Sequence, residues 1–160
     1  MELHRKIFLV LMVLWMVMIF LFSSRSGELS AEDSTHAGML VGEMFVPGFE
    51  QWSEQEQLEF AQRIDHPVRK TAHAAEYALL ALLAAGVLIR KGTTLVAGIA
   101  FPLSVAAAYA ATDEIHQLFV AGRSGQISDV LLDSAGALAG LLFLAGVRAC
   151  LRTRKMSRDC

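Results

Sequence analysis

The sequence predicts an all-α, polytopic membrane protein whose four transmembrane helices form one small bundle. Hydrophobic residues make up 54% of the 160-residue chain, and its mean hydropathy is positive. Charged residues, at 19%, are too few to cover the surface of a soluble domain of this size. The length allows a single membrane domain over residues 1–160 and no second domain of ordinary size.

Four apolar runs predict spans at about residues 7–23, 70–90, 93–112 and 127–147. A helix needs about 20 such residues to cross about 30 Å of hydrocarbon. The first run follows His4-Arg5-Lys6, as the core of a signal peptide would, but it is longer than the usual core of about 7–15 residues. We therefore expect this run to be a retained span. The very short connection between the second and third runs predicts a tight antiparallel helical hairpin, and a polar turn over residues 113–126 should join the third and fourth.

The outer loop between the first two spans, residues 23–68, is long enough to have structure of its own. Ser30 and Ser53 are each followed by an acidic residue three positions later, which is typical of a helix start. The loop is therefore predicted to be partly helical, with its second helix ending before Pro67. Such a helix could lie on the membrane surface or cover the polar residues as a lid. The alternative is a solvated acidic connector.

The placement of lysine and arginine predicts that both termini are cytoplasmic. The predicted cytoplasmic side receives Arg5, Lys6, Arg90, Lys91, Arg148, Arg152, Arg154, Lys155 and Arg158. The outer side receives Arg25, Arg63, Arg69, Lys70 and Arg123. Cys150 and Cys160 then lie in the cytoplasm, where thiols stay reduced.

Apart from the cations that flank the cytoplasmic ends, such as Arg90 and Arg148, the charged and histidine side chains within or beside the last three spans lie at the outer ends of those spans. They comprise Arg69, Lys70, His73 and Glu76 in span two, Asp113, Glu114 and His116 after span three, and Asp129 and Asp133 in span four. A charge at the centre of a span costs about 2.5–3.5 kcal/mol on insertion scales, so such groups usually have a function. If the spans alternate in direction, all three groups meet in one layer of the bilayer.

Two histidines and two carboxylates in this layer are candidate catalytic residues. His73 or His116 could act as a general base near neutral pH, because the imidazole titrates in that range. Glu76 would orient the first imidazole, and Asp113 the second.

Three cations in the same layer are candidate anion-binding residues. Arg69, Lys70 and Arg123 could hold a phosphate or pyrophosphate, which matches the guanidinium fork. The remaining polar residues would support the site: Glu114, Gln117, Asp129 and Asp133.

Structural roles for the same charges stay open. Opposite charges in an apolar bundle often pair, so Arg69–Glu76 or Arg123–Asp133 could simply lock helices together. Histidines and carboxylates could bind a divalent metal, but no recognised ligand spacing occurs and we predict no metal or other cofactor. The absence of a basic cluster with interleaved aromatic residues indicates that nucleic acid is not a partner.

Small residues have two possible roles outside this layer. Ser23, Ser24 and Ser26 could supply a nucleophile, although serines at the end of a span more often cap it. Gly136 and Gly140 form a small-xxx-small surface that lets another helix approach closely. Span three, rich in alanine, is the expected neighbour inside the bundle. Homodimerisation is the alternative use, and the oligomeric state stays open.

Four segments, in order along nearly the whole chain, resemble motifs of VanZ-like membrane proteins. Residues 22–27 (FSSRSG) resemble an FSSQSG element, and residues 68–77 (VRKTAHAAEY) resemble VRKxAHFxEY. Residues 113–123 (DEIHQLFVAGR) resemble DExHQxFVPGR, and an Asp-Val and Asp-Ser-Ala-Gly pattern follows over residues 129–136.

Two residues depart from the family pattern. Ala74 replaces a usual aromatic residue, and Ala121 replaces a usual proline before Arg123. Neither change removes a charged group.

The resemblance implies a multi-pass protein of the bacterial cytoplasmic membrane, and the name member of the family is associated with low-level teicoplanin resistance. From the residues, the expected partner is a membrane lipid or a lipid-linked envelope precursor, handled at the periplasmic or outer face by binding, hydrolysis or group transfer. A non-catalytic protein that alters glycopeptide access remains an alternative. A small transporter subunit is a weaker one, because transport sites normally lie near the midplane.

Overall fold

A computed structural model describes residues 2–90 and 92–156. The predicted cytoplasmic positions of Lys91, Arg158 and Cys160 lie outside the described residues. The described part is helical: α1 (Glu2–Ser23), α2 (Gly27–Phe45), a 3₁₀ turn (Phe49–Gln51), α3 (Glu54–Leu88), α4 (Leu95–Gln117) and α5 (Ile127–Met156).

Four of these helices, namely α1, α3, α4 and α5, are long and apolar enough to cross a membrane. Large apolar side chains cover their outer surfaces, as is shown by Phe143, which is 72% exposed. This arrangement confirms the prediction of an all-α, multi-pass membrane protein with four spans.

Contacts at the two ends of the bundle show that the spans alternate in direction. Arg5 Nε donates a hydrogen bond to the Val87 carbonyl at 3.1 Å, so the start of α1 lies beside the end of α3. At the opposite end, Ser24 Oγ lies 3.1 Å from His116 Nε2, so α1 and α4 end together. We call this second end, where α1 and α4 end and α5 begins, the polar end.

Helix α3 starts far earlier than the predicted second span, and the expected helix end before Pro67 is wrong. Ser53 and Glu56 form a capping box at its start, as the sequence predicted. Pro67 lies inside the helix, where a proline costs about 3 kcal/mol because one backbone hydrogen bond is lost. Packing against α2 offsets that cost, since Gly38 lies directly on the Ala61 backbone. At about 1.5 Å per residue, α3 is much longer than the hydrocarbon layer.

The outer loop is therefore mostly helical, and its first helix begins before Ser30. Ser26 Oγ accepts a hydrogen bond from the Leu29 N–H at 3.4 Å and caps α2. The predicted start at Ser30 is wrong because α1 ends at Ser23 and leaves Ser26 free to cap the next helix at once. Ser34 Oγ then donates a hydrogen bond to Asp65, which ties α2 to α3.

Helix α4 also extends beyond its predicted span. The turn expected over residues 113–126 begins only after Gln117, so Asp113 to Gln117 form the last helical turn. The side-chain amide of Gln117 donates a hydrogen bond to Asp113 Oδ2 one turn earlier, at 3.3 Å. In the remaining turn, Gly122 has a positive φ of 70°, which suits glycine.

The helices pack through small side chains. Buried alanines from three helices form much of the core, including Ala81, Ala106 and Ala137. The glycine surface of α5 packs inside the bundle, but its neighbour is α3, because Gly136 and Gly140 face Ala74 and Ala78. The expectation that span three would be that neighbour is wrong for these two glycines.

We predict that Gly136→Ala lowers the melting temperature of the protein in detergent, because the new methyl group would collide with the Ala74 backbone. Overpacking of this kind costs about 1–3 kcal/mol. Gly146→Ala is the matched control on the same helix, since nothing lies within 4 Å of its added Cβ. That control should be neutral or stabilising because alanine favours a helix. Equal melting temperatures for both variants would contradict the close α3–α5 contact.

Candidate functional site

A polar cavity lies at the polar end, between α3, the α4–α5 turn and the start of α5. It brings together most of the predicted site residues: Arg69, Lys70, His73, Glu114, Gln117, Arg123, Asp129 and Asp133. His66 also lines it, because α3 continues through Pro67 and carries His66 to the cavity. The three polar segments of the sequence thus meet in one place.

A second cavity lies on the other side of α3, beside α2 and the end of α1. Arg69, His73 and Arg123 belong to the walls of both cavities. Phe22 and Glu76 line only the second one. The side chains of Arg69, His73 and Arg123 therefore lie between the polar cavity and the second cavity, whose lining is more apolar.

Two predicted catalytic residues, His116 and Asp113, line neither cavity. His116 Nε2 lies 3.1 Å from Ser24 Oγ, and its ring packs against Phe20 with 4.6 Å between ring centroids. Asp113 is buried and accepts its hydrogen bond from Gln117, so the expected orientation of His116 by Asp113 is absent. The reason is that Asp113 and Gln117, one helical turn apart, are both buried in the bundle, whereas His116 lies on the face of α4 that meets α1.

The second predicted pair, His73 and Glu76, is present only as neighbours. His73 Nδ1 and Glu76 Oε2 are 3.7 Å apart, which is within reach of an ion pair but too long for a hydrogen bond. Both side chains are about one-fifth exposed and line the second cavity. His73 is thus the one predicted histidine that faces the cations.

Two of the three predicted anion-binding cations already have carboxylate partners. Arg69 forms an ion pair with Asp65 one turn earlier on α3, and Lys70 forms one with Asp129 on α5. The second pair links two helices, so Lys70 has the structural role that the sequence analysis left open. Neither Arg69–Glu76 nor Arg123–Asp133 is among the ion pairs of residues 2–90 and 92–156.

Arg123 differs from the other two cations because no ion pair within the described part of the chain includes it. Its Nε donates a hydrogen bond to the Arg25 carbonyl at 3.2 Å. Burial and then the nearby positive charge of Arg69 lower the pKa of the Arg123 guanidinium, which still stays charged because an arginine starts so high. Arg123 is therefore a partly buried cation without an ion-pair partner among the described residues, although the negative charges of Asp113 and Glu114 lie near enough to act on it.

The turn that carries Arg123 is fixed by the start of α2. The Gly27 N–H donates a hydrogen bond to the Ala121 carbonyl at 3.0 Å. Gly27 also lies so close to Gly122 that a side chain there would collide with the Gly122 backbone. The alanine at position 121, where the resembled motif has proline, thus sits in a turn held by this backbone contact.

Asp133 is the carboxylate that lacks a partner in the same cavity. Its side chain is 2% exposed, and its Oδ1 atom has no hydrogen-bond partner among the described residues. Glu114, by contrast, accepts a hydrogen bond from the Gln126 N–H at 2.7 Å, and Asp129 has Lys70. Within the described ranges no group of three or more histidine, cysteine or acidic residues is arranged to hold a metal ion.

Sequence reasoning did not find the partners that neutralise the cations. Asp65 lies one turn before Arg69, a spacing that typically pairs on a helix, but the predicted helix end before Pro67 removed this signal. The contact between Lys70 and Asp129 joins two helices and leaves no trace in the spacing along the chain.

Comparison with known proteins places these features in a family. A profile of the VanZ/LLP1 family matches residues 8–148, a range that includes every candidate site residue. Comparisons with curated proteins and with solved structures gave no match. Since the matched range covers most of the chain and contains the four apolar helices almost completely, this protein belongs to the VanZ/LLP1 family.

Proposed function

We propose that the protein binds the anionic headgroup of a membrane lipid, or of a lipid-linked envelope precursor, in the cavity at its polar end. The observation that carries this proposal is the guanidinium of Arg123, which lines both cavities and forms no ion pair among the described residues. A guanidinium forms strong, often paired hydrogen bonds with phosphate. A phosphate that enters the cavity would supply a direct ion-pair partner for Arg123.

The depth of the cavity favours a lipid as the source of that phosphate. The cavity lies at the end of four apolar helices whose surfaces expose large apolar side chains. Lipid headgroups are concentrated at this depth, immediately outside the hydrocarbon. A lipid can therefore reach Arg123 by moving laterally, without its tail leaving the membrane.

The positive-inside bias supports an outer-face location for this site. The described cations at the opposite end of the bundle include Arg5, Arg90 and Arg148. On this orientation the ligand is a lipid or precursor of the outer leaflet of a bacterial cytoplasmic membrane. A protein that holds a lipid-linked wall precursor there could alter glycopeptide access, which would connect the site with the teicoplanin resistance of the resembled family.

We predict that Arg123→Gln weakens the binding of phosphatidic acid by about tenfold or more, because a hydrogen bond to a charged group contributes about 1.5–3 kcal/mol. The measurement is the dissociation constant of the purified protein in detergent, with diacylglycerol as the lipid that lacks phosphate. Arg63→Gln is the matched control, since Arg63 is an exposed arginine of α3 that lines neither cavity. The proposal fails if Arg123→Gln binds phosphatidic acid like the wild type, or if diacylglycerol binds equally well.

Turnover of the bound phosphate is the second candidate function, and the position of His73 favours it. His73 shares both cavity walls with Arg69 and Arg123. As a general base it would take a proton from the attacking water or alcohol and return it to the leaving oxygen as the bond to phosphorus breaks. Arg123 would stabilise the charge on the phosphoryl oxygens during that step.

We predict for this second candidate that His73→Gln lowers the rate of phosphate release or transfer by about 10²–10⁴-fold, because glutamine retains hydrogen bonding but not proton transfer. Binding of the lipid should change little. His66→Gln is the control, since His66 lines only the polar cavity and is exposed. An unchanged rate in His73→Gln would leave binding without turnover as the function.

A further inference from the structure

We infer that the bound headgroup carries a hydrogen-bond donor, an amine or a hydroxyl, beside its phosphate, and that it bridges Arg123 and Asp133. This inference rests on the proposed function, because it assumes that phosphate binds at Arg123. It adds that the part of the headgroup beyond the phosphate donates a hydrogen bond. It assigns Asp133 on α5 as the acceptor of that bond.

The first argument is the burial of Asp133 without a partner. A buried carboxyl oxygen that makes no hydrogen bond loses its hydration without compensation, which destabilises the ligand-free protein. Oδ1 of Asp133 is in this state among the described residues, and the side chain is 2% exposed. The other acids that line the cavity, Glu114 and Asp129, both have partners. Among the acids that line this cavity in the described residues, the cost of an unsatisfied buried oxygen therefore falls on Asp133.

The second argument is that Asp133 and Arg123 line the same cavity without pairing. Two opposite charges in a partly enclosed space attract each other strongly unless the backbone holds them apart. The backbone does so here, because Asp133 lies in the second turn of α5 while the Arg123 turn is fastened to Gly27. Both residues belong to the wall of the cavity, so a ligand in the cavity would lie between them.

A ligand that satisfies both residues must be anionic at one end and a donor at the other. A phosphate ester with an ammonium group, as in phosphoethanolamine, meets this requirement. So does a phosphate ester with a free hydroxyl, as in a glycerol or glycosyl phosphate. A quaternary ammonium or a methyl ester has no N–H or O–H to donate and leaves the Asp133 oxygen without a hydrogen bond.

Two matched lipid pairs test the inference, with acyl chains held constant. Phosphatidylethanolamine is compared with phosphatidylcholine, and phosphatidylglycerol is compared with phosphatidylmethanol. We predict that the wild type binds at least one donor lipid about tenfold more tightly than its donor-free match, because the buried acceptor has no other hydrogen-bond partner among the described residues. The pair that shows the difference identifies the donor as amine or hydroxyl.

Asp133→Leu and Asp133→Asn then assign the preference to this carboxylate. Asp133→Leu should bring each pair to equal affinity, and Asp133→Asn should reduce the preference in the same direction. Neither variant should lower the melting temperature of the ligand-free protein, because removing an unpaired buried acid relieves a cost. A large drop in melting temperature together with an unchanged lipid preference would overturn the inference and make Asp133 a structural residue.

Tyr77→Phe is the control for a partner inside the bundle, because the Tyr77 hydroxyl is also buried without a hydrogen-bond partner among the described residues. It should leave the lipid preference unchanged, and loss of the preference would overturn the assignment to a ligand. The two proposals fail in different ways. If all four lipids bind alike but Arg123→Gln weakens each of them, only this inference fails. If Arg123→Gln weakens none of them, the proposed function fails with it.

Discussion

The high cost of an unpaired charge in hydrocarbon is the constraint on which this structure depends. The core of the bundle is packed through alanine and glycine, and this close packing excludes hydrated side chains from the middle of the spans. Apart from the cations that flank the opposite end, such as Arg5, Arg90 and Arg148, the charged residues of the spans lie at the polar end. There the α4–α5 turn and the start of α2 separate the helices enough to form the two cavities. The ion pairs at the polar end then determine which of these charges can still bind a ligand.

The helical outer segment takes part in the site as a support. Ser34 of α2 donates a hydrogen bond to Asp65, and Asp65 pairs with Arg69 in the cavity wall. At the start of the same helix, Gly27 holds the turn that carries Arg123. The helix α2 thus contacts the supports of two cations, Arg69 and Arg123, and it packs on the part of α3 that directly precedes Pro67. The sequence analysis left open whether the outer loop is a lid or a solvated connector. In the described residues, the first part of this loop is a helix packed on α3.

Periodicity and composition were sufficient to predict the four spans and the gathering of polar residues at one end, because hydrophobic burial sets both. They were not sufficient to predict the pairing. Lys70 meets Asp129 only because of how α3 and α5 are rotated about their axes, and a single sequence does not encode that rotation visibly. His116 turned toward Ser24 for the same reason. The Gly136 surface could be predicted as a close contact, but its neighbour depended on the order in which the helices pack.

The central proposal is that the polar end of the bundle faces the outside of the cell and is open there. The most direct measurement is the labelling, in intact cells, of variants that each contain one cysteine, with a membrane-impermeant maleimide. Ser124→Cys with both native cysteines replaced by serine reports on the cavity wall, and Cys150 with only Cys160 replaced by serine reports on the opposite end. Labelling of the cysteine at position 124 in intact cells, and of Cys150 only after permeabilisation, is the predicted result. Labelling of Cys150 in intact cells, with position 124 protected until permeabilisation, would contradict it.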